Sequence, residues 1–125
     1  MKDVYILAIE SSCDETSIAI IKNGCEDVAT TILTQMDTHA LYGGVVPEIA
    51  SRMHCENITM VLEDVFSKTT LTMNDIDAIA VTYAPGLLGS LLIGLEFAKT
   101  LSLVYKNPLI KVHHIAGHIY AHNLV

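Results

Sequence analysis

Two histidines one helical turn apart, His114 and His118, sit in the run Val112-His113-His114-Ile115-Ala116-Gly117-His118. On a helix such a pair shares one face, with Cβ atoms roughly 5–6 Å apart. Two neutral imidazoles so placed can grip one divalent metal and leave its other positions open. Zinc proteases use this spacing as His-Glu-x-x-His, with the glutamate as general base. Here that place holds Ile115, so the pair points to a metal that holds or polarises a substrate. It supplies two ligands, and the rest must come from elsewhere. His122 extends the stripe, and His113 falls off it. The competing reading is capping and core hydrogen bonding by histidines. His39 and His54 are read as ordinary surface or loop residues.

Three further segments carry groups that could do chemistry. Glu10-Ser11-Ser12-Cys13-Asp14-Glu15-Thr16 puts three carboxylates and three hydroxyls on one turn. Carboxylates this close repel, so exposure, raised pKa values or a cation must compensate. The turn is either a solvated acidic bend or, through its N–H and hydroxyl groups, a phosphate and metal site. Tyr42-Gly43-Gly44-Val45-Val46-Pro47-Glu48 precedes a helix start, a natural place for an anion. Glu48 and Arg52 are four apart and read as a surface ion pair, with Arg52 and His54 facing a ligand as the alternative. Tyr83-Ala84-Pro85-Gly86-Leu87-Leu88-Gly89-Ser90 leaves a strand and enters a helix without the Gly-Lys-Ser/Thr of a Walker loop. Gly89 and Gly94 weaken that helix by about 1 kcal/mol each relative to Ala, a cost that close approach of another backbone would offset. Either packing or ligand contact supplies that approach.

The elements that must position these groups follow from periodicity. Val4–Ile9 and Ser17–Ile21 are apolar strands, Asn23-Gly24 is a hairpin turn signal, and Glu26–Leu33 completes a meander. Residues 34–44 show no period and read as loop. Pro47–Ser67 is apolar at helical spacing with proline in the first turn. Thr72 and Asp75 have the spacing of a capping box. Strand Ile76–Thr82, helix Leu87–Tyr105, strand Leu109–Val112 and a helix from His114 to about Leu124 complete the chain. This β-β-β-α-β-α-β-α order predicts an α/β fold: one ribonuclease-H-like lobe, a mixed sheet of about five strands with helices on its faces.

The 125 residues are of single-domain size. With 51% hydrophobic residues, the sheet is covered on both faces or some apolar surface awaits a partner. A net charge of −7 argues against broad electrostatic capture of nucleic acid by this chain, which needs Lys and Arg against phosphates. A tRNA contact through another domain or subunit stays open. Cys13, Cys25 and Cys55 have no paired spacing and read as reduced thiols, buried as small hydrophobes, in a cytoplasmic protein. The uncharged stretch 78–95 is long enough to raise the membrane question. Pro85, Gly86, Gly89 and Gly94 interrupt it, which favours strand, turn and helix over a membrane span.

Taken in order and spacing, the acidic turn, Gly43-Gly44-Val45-Val46-Pro47-Glu48 with Ala50-Ser51-Arg52 and His54, Pro85-Gly86-Leu87 with Gly89-Ser90-Leu91-Leu92-Ile93-Gly94, and His113-His114 with Gly117-His118 resemble the tRNA threonylcarbamoyl-adenosine transferases. These were once described as glycoprotein endopeptidases and belong to the actin-like ATPase superfamily. Ala84 departs from the family pattern, which has Gly before Pro-Gly. The resemblance implies a two-lobed enzyme of which residues 1–125 are the N-terminal lobe, the C-terminal lobe being absent from this chain. It implies one divalent metal ion, iron or zinc, on His114 and His118, an aspartate of the other lobe completing the set, and an adenylate or ATP-type nucleotide in the full-length enzyme. Asp14 and Glu15 are the catalytic candidates, and Glu10, Ser12 and Gly86 the candidates for binding substrate or nucleotide. Expected partners are tRNA, a paralogous non-catalytic subunit and an ATPase of the modification complex. A second copy, paired through the helix Leu87–Tyr105, is also expected; no membrane is. The lobe alone is expected to be inactive. The alternatives are a non-catalytic nucleotide-binding or dimerisation module, and a metalloprotease, which Ile115 disfavours.

Overall fold

A computed structural model describes residues 2–12 and 14–113. Three antiparallel strands come first: β1 (Tyr5–Glu10), β2 (Glu15–Lys22) and β3 (Glu26–Thr34). The β2–β3 turn closes at Asn23 and Gly24, with φ of 54° and 74°, the mirror-image turn whose twist matches the strands it joins. Asn23 also bonds back to Val4 through both its N–H and its side-chain oxygen. A short helix α1 (Met36–Ala40) leads to α2 (Pro47–Ser67). Strand β4 (Ala78–Ala84), helix α3 (Leu88–Tyr105) and strand β5 (Leu109–His113) follow. The sheet order is β3-β2-β1-β4-β5, with β4 parallel to both β1 and β5. The expected helix from His114 lies outside the described residues.

Alternation along the strands decides which face is core. Leu7, Ile9, Ile18, Ile20, Ile79 and Val81 all point to one face and are at most 2% exposed. They meet Ile58, Val61 and Val65 of α2 and Ala98 of α3 in one cluster. On α2 the buried residues Ala50, His54, Ile58, Val61 and Val65 recur at helical spacing. Lys106 ends α3 in the left-handed region at φ 58°, and Asn107 N–H returns to Ser102 O. The opposite face of the sheet carries small residues. Ala8, Ala19, Ala80 and Thr82 help to line a cavity of about 150 Å³ there. Among the described residues α3 is the one helix long and apolar enough to cross a membrane. It leaves β4 through the expected turn and packs on β4 and α2.

Three expectations need correction. Residues 36–40 form α1 rather than loop, a single turn too short to show a period. Strand β4 starts at Ala78, not Ile76: the Asp77 carboxylate accepts the Tyr5 N–H and its own N–H bonds Tyr5 O, so this residue ties the start of β1. Cys25 and Cys55 are free thiols as expected, but exposed rather than buried. Cys25 lies beside the hairpin turn and Cys55 on the outer side of α2. Cys13 lies outside the described residues. The Thr72–Asp75 capping box is present.

Candidate functional site

The C-terminal ends of the parallel strands β1 and β4 lie side by side, the position at which α/β sheets bind ligands. Strand β1 ends in Glu10, and its carboxylate is fully engaged. One oxygen accepts the Ser12 N–H at 2.6 Å and the other the Thr82 hydroxyl at 2.5 Å. These two bonds hold the first turn against β4. The turn after β4 closes on the same spot. Leu87 N–H donates to Ser12 O at 2.8 Å. A Cβ on Gly86 would stand 2.5 Å from that oxygen, so only glycine lets the two turns approach this closely. Glu10, Ser12 and Gly86 are therefore brought together.

The hydroxyls of the first turn face inward. Ser11, Ser12 and Thr16 are buried. Ser11 Oγ donates to Ser90 O in the first turn of α3 at 2.7 Å, and Thr16 Oγ1 lies 2.7 Å from His54 Nδ1. The bend is thus not simply a solvated acidic turn. Asp14 is half-buried and Glu15, at the start of β2, is exposed. Engagement of Glu10 and exposure of Glu15 relieve the crowding of the three acids. The helix glycines are explained by packing on side chains rather than by another backbone. Gly89 lies against Ser51 of α2, and Gly94 against Ser11 and Ile9. Ala84 is not among the described residues with positive φ, so its departure from the family pattern strains nothing.

His39 and His54 correct their sequence assignment. They are 3% and 0% exposed. His39 Nδ1 accepts the Val46 N–H at 3.1 Å, and its Nε2 lies 2.7 Å from Gln35 Oε1. Gln35 Nε2 donates to Ala50 O at 3.3 Å, and the Gln35 N–H to Asp14 O at 2.9 Å. Gln35, His39 and Thr82 are polar site residues that sequence reasoning missed, and His54 entered it only as an alternative ligand contact beside Arg52. The one available signal was spacing: Gln35 and His39 are four apart, as are Ala50 and His54. Glu48 and Arg52 form the expected ion pair at 3.3 Å, both exposed. His114 and His118 lie outside the described residues. Strand β5 ends at His113, opposite Ala84 and edge-on to Tyr83, at the same edge of the sheet. Among the described residues no three His, Cys, Asp or Glu side chains gather to hold a metal.

A mixed five-stranded sheet with crossover helices, and turns meeting at the ends of its parallel strands, defines a ribonuclease-H-like fold. The fold matches YeaZ from Pseudomonas aeruginosa with a TM-score of 0.72 at 16% identity, over 95% of this chain and 49% of that one. A second structure, a protein with similarity to peptidase YEAZ from Pseudomonas aeruginosa, gives 0.71 at 19% identity, over 94% and 48%. The family model for TsaD, tRNA N6-adenosine threonylcarbamoyltransferase, matches residues 27–125, and the chain belongs to that family. It is 59% identical over 124 residues to the tRNA N6-adenosine threonylcarbamoyltransferase of Bacillus subtilis, and 57% identical over 123 residues to that of Staphylococcus carnosus. Each match covers 98–99% of this chain and 36% of the relative. The chain thus spans about a third of their length.

Proposed function

We propose that residues 1–125 form the N-terminal lobe of a two-lobed, cytoplasmic transferase. It moves a threonylcarbamoyl group from its adenylate to the N6 amine of an adenosine next to the tRNA anticodon. The carrying observation is the convergence of Glu10, Ser12 and Gly86 at the C-terminal edge of β1 and β4, in a chain 59% identical to such a transferase. In the reaction the N6–carbamoyl bond forms, the bond from the carbamoyl carbon to the phosphate oxygen breaks, the adenylate leaves as AMP, and N6 gives up a proton.

In this reading the two joined turns form one wall of the cleft that holds the adenylate. Glu10 sets the first turn and leaves Asp14 and Glu15 as the free carboxylates beside it. They orient the attacking amine or take its proton. His114 and His118 would hold one iron or zinc ion, for which imidazole is a suitable ligand, with a further ligand from the rest of the protein. When bound, that ion offsets charge on the leaving phosphate as a Lewis acid. The half set of ligands and the single wall leave this lobe inactive alone.

The partners proposed are tRNA, a non-catalytic paralogue and an ATPase of the same modification complex. A second copy of the chain is a further candidate. Leu88, Leu92, Leu103 and Val104 of α3 are 74%, 44%, 82% and 64% exposed, and this apolar surface favours pairing. The same surface supports the alternative of a non-catalytic dimerisation module. Transfer of labelled threonylcarbamoyl from its adenylate to tRNA, measured on a full-length protein that begins with this chain, separates the two. The expected result is turnover that falls about a hundredfold in Asp14→Asn or Glu15→Gln. No transfer by the full-length protein with its partners present would leave the module.

A further inference from the structure

Beneath the turn that carries Asp14 lies a polar cluster that the proposed reaction does not use directly. Thr16, Gln35, His39 and His54 are each at most 3% exposed. Burying so many polar groups is costly unless each finds a partner, and here the bonds run in a defined order. Asp14 O accepts the N–H of Gln35. The Gln35 side chain meets His39 Nε2 at one end and Ala50 O at the other. His39 Nδ1 then receives the N–H of Val46, the residue that opens α2.

The order fixes the state of the ring. A main-chain N–H only donates, so Nδ1 must be bare. Nε2 must then carry the proton, and it donates to Gln35 Oε1. The Gln35 amide is oriented by the same logic, its NH₂ toward Ala50 O. The loop between α1 and α2 is tied to the main chain of the same residue: Tyr42 N–H and Gly44 N–H both donate to His39 O. His54 and Thr16 add a second tie from α2 to β2, four residues along the helix from Ala50.

We propose that His39 is a positioning residue for the transfer reaction. Its neutral ring, protonated on Nε2 alone, joins Gln35, whose N–H bonds Asp14 O, to Val46 at the start of α2, so that the turn of Asp14 and the start of α2 keep one relative placement. This rests on the functional reading above, because Asp14 is taken to act on the amine. A displacement of about 1 Å at such a group costs about a hundredfold in rate. The loss falls on turnover, since the substrate-holding turn formed by Ser12 and Gly86 is fixed independently through Glu10 and Thr82.

The test uses the full-length protein with its partners. His39→Leu removes both ring bonds. His39→Asn keeps an acceptor close to the Nδ1 position. The expected result is a kcat about a hundredfold lower in His39→Leu, KM values for adenylate and tRNA within about threefold of wild type, and partial recovery of kcat in His39→Asn, which restores the Val46 bond but not the Gln35 bond. Nitrogen NMR of the wild-type ring gives a readout that needs neither activity nor a folded variant. It should show Nε2 protonated and Nδ1 bare, with slow hydrogen exchange at the Val46 amide. A ring protonated on Nδ1, or a His39→Leu variant with undiminished kcat in an otherwise active protein, overturns the proposal. A wild-type protein with no transfer activity overturns the parent reading instead, so the two failures are distinguishable.

Discussion

A methyl group on Gly86 would stand 2.5 Å from Ser12 O, and a backbone oxygen cannot swing aside. On Gly94 it would press on the Ser11 hydroxyl, which is buried and bonded to Ser90 O. On Gly89 it would meet the Ser51 hydroxyl, on a half-buried side chain that can rotate away by giving up one hydrogen bond to Pro47 O. These three glycines of one motif therefore differ in what they are for. Gly86→Ala and Gly94→Ala should each destabilise the whole protein by about 1–3 kcal/mol. Gly89→Ala should lie near zero, because about 1 kcal/mol of helix propensity offsets the adjustment. Urea melting of the three variants checks this order. That both motifs sit at strand ends was legible in the sequence, but the contact of Gly86 with Ser12 O was not. Nor were the buried roles of His39 and His54. Whether a histidine is solvated or bonded in the interior depends on partners such as Thr16, 38 residues away, which no local pattern records.

The elements were legible wherever a period runs long enough. Helix α2 has the expected bounds because its apolar stripe spans six turns and Pro47 marks its start. The single turn α1 has no stripe to read. Edge strand β3 shows what side chains add to an element after its pattern is set. Asp64 of α2 accepts the Thr31 hydroxyl at 2.6 Å and pairs with Lys68, whose ammonium also caps Thr30 O. Such a lysine blocks an exposed strand edge from pairing with another chain. The hydrogen bond from Thr31, then that from Lys68, hold the Asp64 carboxyl below its ordinary value of 3.8. A carboxyl lowered on folding stabilises fully above its unfolded value and loses that contribution as pH falls through the folded one. The stability gap between wild type and Asp64→Asn should therefore be constant near neutrality and close below pH 3.8. Urea midpoints taken across the acid range test this, and a gap unchanged at the lowest pH would contradict it.

At the scale of the whole molecule, the strand order and the meeting of β1 with β4 could be anticipated, because a meander followed by helix-separated strands has few ways to pack. The histidine pair could be read only as spacing, since two imidazoles do not define a coordination shell. The central claim is that this chain contributes His114 and His118 to a metal-assisted transferase. It is tested most directly in the full-length protein by measuring bound iron and zinc together with threonylcarbamoyl transfer to tRNA, in wild type and in His114→Ala. The account predicts that the variant loses both the metal and the transfer. A variant that retains wild-type metal content and wild-type transfer would contradict it.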